Sequence, residues 1–232
     1  MALKLVPGYR IFAYDDAFVG DAVFWLSNLI DCLKQIEQLP TGFELLKSIR
    51  MAKPGYRKPG LPLGVLIVFL RQVDGANVLP PGLSNRFGNL VEINEVAYQT
   101  FKTGNGSGAM NLTSPNMMAD NQQSAMGVAG FPLGSTANMD WSSSAGSFIG
   151  ANGYLPPFIT LAHELIHGLH MLTGTMKQDN AEEESETVGC QVASSFGPTY
   201  GVAYNPLHLA TLPAFCENRI RHEAGIPRRL AY

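Results

Sequence analysis

Charge is scarce in this chain: 15% of its 232 residues are Asp, Glu, Lys or Arg, and the formal balance is −3. No basic run or basic-aromatic patch stands out, so nothing suggests nucleic-acid binding. Cysteine is scarcer still. Cys32, Cys190 and Cys216 lie far apart with no paired spacing, which argues against a disulfide framework and a thiolate metal site and leaves buried free thiols. Long hydrophobic runs are missing too. The longest, Leu61 to Leu70, is about half of what a bilayer-spanning helix requires, so no membrane span is expected. Residues Met1 to Gly8 carry no apolar core ahead of a small-residue cleavage site, so a Sec-type leader is not expected and export would need another route.

What is present describes a folded chain: 46% hydrophobic residues, 24 glycines, and a length that fits one domain over 1–232. Val23, Leu26, Leu29, Ile30, Leu33 and Ile36 share one helical face, which predicts an amphipathic helix from about Phe18 to Ile36. Thr41 with Glu44 three residues later reads as a capping box opening a second, short helix. Gly64 to Leu70 is β-branched and aromatic and reads as a buried strand, with Asn89 to Tyr98 as a further strand candidate. From Thr103 to Gly153 glycine, serine, asparagine and methionine dominate, and Asp120 and Asp140 are the only charged residues. This stretch reads as long loops, with short strands at most, crossing the front of the domain; a connection of this length is often functional.

The last third is patterned for helices. Pro156 and Pro157 open one that runs to about Leu172, with Gly174 as its stop signal. Asp179 to Ala193 is a second, with an acidic first turn suited to the positive end of the helix dipole. Leu212 to Ala224 is a third, stopped by Gly225 and Pro227. The first of these carries His163-Glu164-Leu165-Ile166-His167. Residues four apart on a helix point the same way, so His163 and His167 can offer two imidazoles to one zinc ion. Glu164 lies one position round, where its carboxylate can act as base towards a water at an open coordination position.

His170 falls near the same face but is too close along an unbroken helix to be a third ligand; a role supporting the ligands or facing substrate suits it better. The arrangement with a third histidine at position 173 is absent, because Thr173 stands there. The remaining ligand should be a carboxylate from the next helix. Glu182, Glu183, Glu184 and Glu186 are all candidates, and a helix can aim only one or two of them inward.

The segment His163 to Gly174 resembles the zinc helix of the clostridial neurotoxin light chains, and more closely that of the NleD-type effector metalloproteases of bacterial pathogens. In both, the third ligand is a glutamate in a Glu-Glu-x-x-Thr-x-Gly segment. Here that segment is Glu183-Glu184-Ser185-Glu186-Thr187-Val188-Gly189, and the resemblance implies Glu184. The effector family is also similar in a Glu-Asn-x-x-Arg helix followed by Arg-x-x-Tyr, here Glu217-Asn218-Arg219-Ile220-Arg221 and Arg229-Leu230-Ala231-Tyr232. By that resemblance Arg229 and Tyr232 would face the scissile carbonyl and stabilise its oxyanion, while Glu183 and Glu217 are candidates for orienting the ligands or Arg229.

The expectation is therefore an α+β, zincin-like metalloprotease: a small N-terminal sheet with helices, and a C-terminal helical block holding one zinc per chain. The resemblance implies a type III secreted effector, acting inside a host cell on signalling proteins, with mitogen-activated protein kinases as the substrate class and a secretion chaperone as a partner. Two alternatives stay open. One is a protease toxin of a type VI or Rhs-type system, with an immunity protein as partner; the other is a non-catalytic binding module in which zinc staples helices together.

Overall fold

The structure, a computed structural model, describes residues 3–6, 8–14, 21–53, 65–69, 71–73, 76–78, 108–111, 137–141, 156–175, 180–190 and 204–230. In chain order these form strands β1 (Leu3–Leu5) and β2 (Ile11–Tyr14), helices α1 (Asp21–Glu37) and α2 (Pro40–Met51), and strands β3 (Val65–Phe69), β4 (Arg71–Val73), β5 (Ala76–Val78), β6 (Gly108–Asn111) and β7 (Ala137–Trp141). Helices α3 (Pro157–Thr173) and α4 (Asn180–Val188), a 3-10 turn (Leu209–Thr211) and α5 (Glu217–Glu223) complete the order.

Five strands make one mixed sheet in the order β1-β2-β3-β7-β6. β2, β3 and β7 run parallel, while the outer strands β1 and β6 are antiparallel to their neighbours. The apolar run around Val65 is thus paired on both sides, as its composition predicts for an interior strand. β4 and β5 form a separate two-stranded ladder.

The stretch 103–153 contributes more than loops. β6 and β7 both arise from it, and β7 lies inside the sheet between β3 and β6. Its small polar residues give little strand propensity, so ladder pairing with β3 and β6 decides the conformation. The expected strand at 89–98 and residue 232 lie outside the described residues.

The helices differ from expectation mainly at their ends. α2 has no capping box: its first turn takes two hydrogen bonds from elsewhere, with the Thr41 backbone N–H and hydroxyl both donating to the Glu223 carboxylate of α5. Glu44 instead pairs with Lys47 on the surface. A negative carboxylate at a helix start complements the dipole and ties the two helices together. α4 stops at Val188 rather than Ala193 because Gly189 turns the chain into the left-handed region at φ +76°. α5 begins at Glu217 rather than Leu212. Pro213 holds Leu212 extended, and the Arg219 guanidinium occupies the carbonyls of Leu209, Leu212 and Pro213 that a longer helix would use.

The core forms where α1, α2 and α3 meet. Leu29, Leu33 and Ile36 of α1, Leu45, Leu46 and Ile49 of α2, and Ile159, Leu161, Leu165, Ile166 and Leu172 of α3 are buried together. α3 also packs on β3, β6, β7, α4 and α5, so it is the central element of the described fold. On the predicted face of α1, Leu29, Leu33 and Ile36 are buried and Leu26 and Ile30 partly so. All three cysteines are buried and free, as expected.

Gly42 is the tightest point between α1 and α2. A Cβ there would lie 2.0 Å from the Ile36 carbonyl oxygen, a backbone atom with little room to retreat. Gly42→Ala should lower stability by about 1–3 kcal/mol, the range for overpacking, in chemical denaturation. Unchanged stability would show that this junction is looser than described.

Candidate metal centre

Every residue of α3 from Leu161 to His170 is buried, including four that are polar: His163, Glu164, His167 and His170. Buried polar groups are costly unless partnered, and this helix is partnered by carboxylates. α4 turns Glu183 and Glu184 towards α3, with Glu183 1% exposed, while Glu182 stays in solvent. α5 supplies a third, Glu217, also 1% exposed. Pro157 and Gly174, the latter at φ +70°, bound α3 as the sequence predicts, and the helix is continuous through His170.

The two histidines of the motif are arranged alike. His163 Nδ1 is 3.0 Å from Glu217 Oε2, and His167 Nδ1 is 2.8 Å from Glu183 Oε1. A carboxylate accepts hydrogen bonds, so each Nδ1 is the protonated donor and each Nε2 carries a lone pair in the neutral ring. The two Nε2 atoms face one another at 3.2 Å. Glu184 meets them there, with Oε2 3.3 Å from His163 Nε2 and Oε1 3.5 Å from His167 Nε2. Glu184 Oε2 is buried and has no hydrogen-bond partner, because the contact with His163 satisfies distance but not hydrogen-bond geometry.

Three acceptor groups thus converge with no donor among them. The ligand atoms of His163, His167 and Glu184 all lie within 4.8 Å of one another, a spacing that suits one metal ion. His167, His170 and Glu183 form a second cluster of similar compactness. Its distances are hydrogen-bond lengths: Glu183 Oε1 accepts from His167 Nδ1 at 2.8 Å, His170 Nδ1 at 2.7 Å and Thr187 Oγ1 at 3.4 Å. Glu183 therefore has its partners already, whereas Glu184 Oε2 does not.

Charge tells the same story. Among the described residues, carboxylates crowd the two histidines, and the guanidinium groups of Arg221 and Arg229 are bonded to one of them, Glu217. Burial would lower the His163 pKa, but the Glu184 and Glu217 carboxylates beside it raise it well above its usual value. Burial likewise opposes the charging of His167, and its bonds to Glu183 and Glu184 lift it to about 9. Burial works against ionised Glu217, yet His163 and the two arginines bring its pKa down to about 2. Glu183 and Glu184 are also held below the ordinary carboxylate range by the histidines, against the cost of burial. Glu164 is the exception, pushed up by its burial. The charge that these carboxylates favour on the histidines could equally be supplied by a divalent cation.

Glu217 connects this cluster to the segment after α5. Its Oε1 accepts from Arg221 Nε at 2.5 Å and its Oε2 from Arg229 Nη1 at 3.2 Å, besides His163. Arg229 is thus brought to the histidines through a shared carboxylate. Two residues that the sequence motifs include, but to which sequence reasoning gave no role, belong here as well. Arg221 is among the largest fully buried side chains, and its i, i+4 spacing from Glu217 was a readable signal. Thr187 donates to Glu183 from one helical turn further on.

A histidine pair one turn apart on a helix, with a glutamate beside the first and a carboxylate delivered by the next helix, is the arrangement of a metallopeptidase. The family model of the peptidase M91 effector proteins matches residues 27–232. The chain belongs to that family, the NleD-like effector metallopeptidases. A comparison with curated proteins gave no match.

Arg221→Ala should cost about 3–5 kcal/mol of stability, since it leaves the buried Glu217 carboxylate without its closest cation and the Pro227 carbonyl without its donor. Urea unfolding of the purified variant measures this. A loss below about 1 kcal/mol, the size of an exposed ion pair, would contradict the network as described.

Proposed function

We propose that this effector peptidase is a zinc-dependent endopeptidase, a single zincin-like α+β domain over 1–232 that cleaves proteins of the cell into which it is delivered. The observation that carries the reading is the meeting of two Nε2 lone pairs with the unpartnered Glu184 carboxylate. A metal cation would satisfy all three at once, and the two-nitrogen, one-oxygen donor set suits zinc with a position left open.

In this reading His163, His167 and Glu184 hold the zinc. When bound, it supplies a Lewis acid that polarises the substrate carbonyl and makes a water molecule acidic near neutral pH. Glu164 takes the proton of the attacking water and returns it to the leaving amine, with burial making its carboxylate more basic than an exposed one. Glu217 and Glu183 hold the Nδ1–H groups of the two histidines, which fixes ring orientation and leaves each Nε2 free to ligate. His170, on the other side of Glu183, helps to fix that carboxylate. Arg229 and Tyr232 stabilise the oxyanion of the tetrahedral intermediate.

Resemblance to the NleD-type effectors extends the reading to type III delivery and to mitogen-activated protein kinases as substrates. The effector family description supports action on proteins of another cell. A toxin of a type VI or Rhs-type system would use the same chemistry; a neighbouring immunity gene would favour it, and a secretion-chaperone gene the effector reading. The zinc-stapled binding module is disfavoured because the described cluster offers three ligands with a base beside them, where structural zinc normally has four protein ligands.

Digestion of a host-cell lysate, with new N-termini mapped by mass spectrometry, tests the proposal. Wild type should generate a defined set of cuts. Glu164→Gln should keep zinc and lose cleavage by at least roughly 100-fold, the lower bound for general acid-base catalysis. Glu184→Ala should lose both. Cleavage retained by Glu164→Gln, or zinc retained in full by Glu184→Ala, would refute this mechanism.

A further inference from the structure

We infer that Asn218 is the positioning residue of Arg229: its buried side-chain amide grips both backbone groups of that arginine and ties them to the end of α4. The inference rests on the proposed role of Arg229 at the scissile carbonyl and goes beyond it, by naming what holds the guanidinium in place.

Asn218 stands in the first turn of α5 and is fully buried, at 0% exposure. Its described side-chain bonds go to main chain. Oδ1 accepts from the Arg229 backbone N–H at 2.7 Å, and Nδ2 donates to the Arg229 carbonyl at 2.8 Å. Nδ2 also donates to the Gly189 carbonyl at 3.2 Å. An amide that exchanges both bonds with one residue acts as a facing residue does in the hydrogen-bonded pair of an antiparallel ladder. A single side chain thereby supplies the pairing that a strand partner would give.

Arg229 needs such a partner because residues 226–229 belong to no helix or strand. Asn218 holds its main chain, while the preceding residue, Glu217, holds its side chain at 3.2 Å and the His163 ring at 3.0 Å. The placement of the guanidinium relative to the histidines is therefore set by two consecutive residues of α5. Gly189 supplies the third anchor. It ends α4, the helix carrying Glu183 and Glu184, and a Cβ there would come within 2.7 Å of Cys216 Sγ, so that helix end is pressed against the start of α5. Without Asn218, the main chain of Arg229 loses two bonds, and the backbone from which the guanidinium reaches Glu217 loses its partner.

The consequence is kinetic, because Asn218 touches none of the proposed ligands. Asn218→Ala should lower kcat about 10- to 100-fold, the scale of a misplaced catalytic group, and shift KM by less than about threefold. Bound zinc should be unchanged. Asn218→Asp, which keeps the acceptor but turns an oxygen towards two carbonyls, should behave alike. In the Asn218→Ala/Arg229→Ala double variant the loss should be no greater than for Arg229→Ala alone, as expected of residues acting as a unit.

The assay uses zinc-loaded protein and a peptide spanning a bond cut in the lysate digest, with hydrogen exchange of the Arg229 amide followed by NMR. In wild type that amide should exchange at least roughly tenfold slower than an unstructured amide, and Asn218→Ala, which removes its acceptor, should remove the protection. Folded variants as active as wild type, or a double variant whose losses multiply, would overturn the inference. If the variants do not fold, wild type decides: an unprotected Arg229 amide overturns the inference, and a protected one supports it. Wild type that holds zinc and protects Arg229 yet cuts no protein would count against the protease reading instead.

Discussion

Two imidazoles and a carboxylate brought together in a buried site demand positive charge between them, and most of the surrounding structure answers that demand. Two imidazole Nε2 atoms 3.2 Å apart and a carboxylate beside them repel one another unless a positive charge stands between them. Burial sharpens the problem, since little water reaches these groups to screen them. The surrounding carboxylates intensify it further. Glu183 and Glu217 withdraw nothing from the centre but fix each Nδ1 as a donor, which commits both Nε2 lone pairs to the same point.

Much of the architecture follows from meeting that constraint. α3 packs against α1, α2, β3, β6, β7, α4 and α5, and among the described residues the carboxylates that meet its histidines come from α4 and α5. α4 and α5 each bring the carboxylates, and arginines behind Glu217 balance its charge. The same helices are fastened to the frame at remote points. Glu223 of α5 closes the first turn of α2, so a residue one helical turn or so from the site also anchors the opposite helix layer.

The part of this that was legible in the sequence is the part encoded locally. His163, Glu164 and His167 could be read because their spacing and the period of α3 coincide, and Pro157 and Gly174 mark its ends. Glu184 was less legible: four glutamates stand in the run, and only resemblance chose among them, while the structure turns Glu183 and Glu184 inward and leaves Glu182 in solvent. Long-range pairing was invisible. β6 and β7 come from a stretch whose composition reads as loop, because strand formation there is decided by partners rather than by the residues themselves. The cap of α2 comes from a residue 182 positions away, which no local motif can reveal. α5 begins late because Arg219 folds back onto carbonyls before it, an arrangement with no sequence signal beyond Pro213.

Zinc K-edge absorption spectroscopy of the purified, zinc-loaded chain reads the ligand set itself. One zinc per chain is expected, bound by two imidazole nitrogens, the remaining donors being oxygen and none sulfur. A sulfur shell, a single imidazole, or a protein that retains no stoichiometric zinc would rule this centre out.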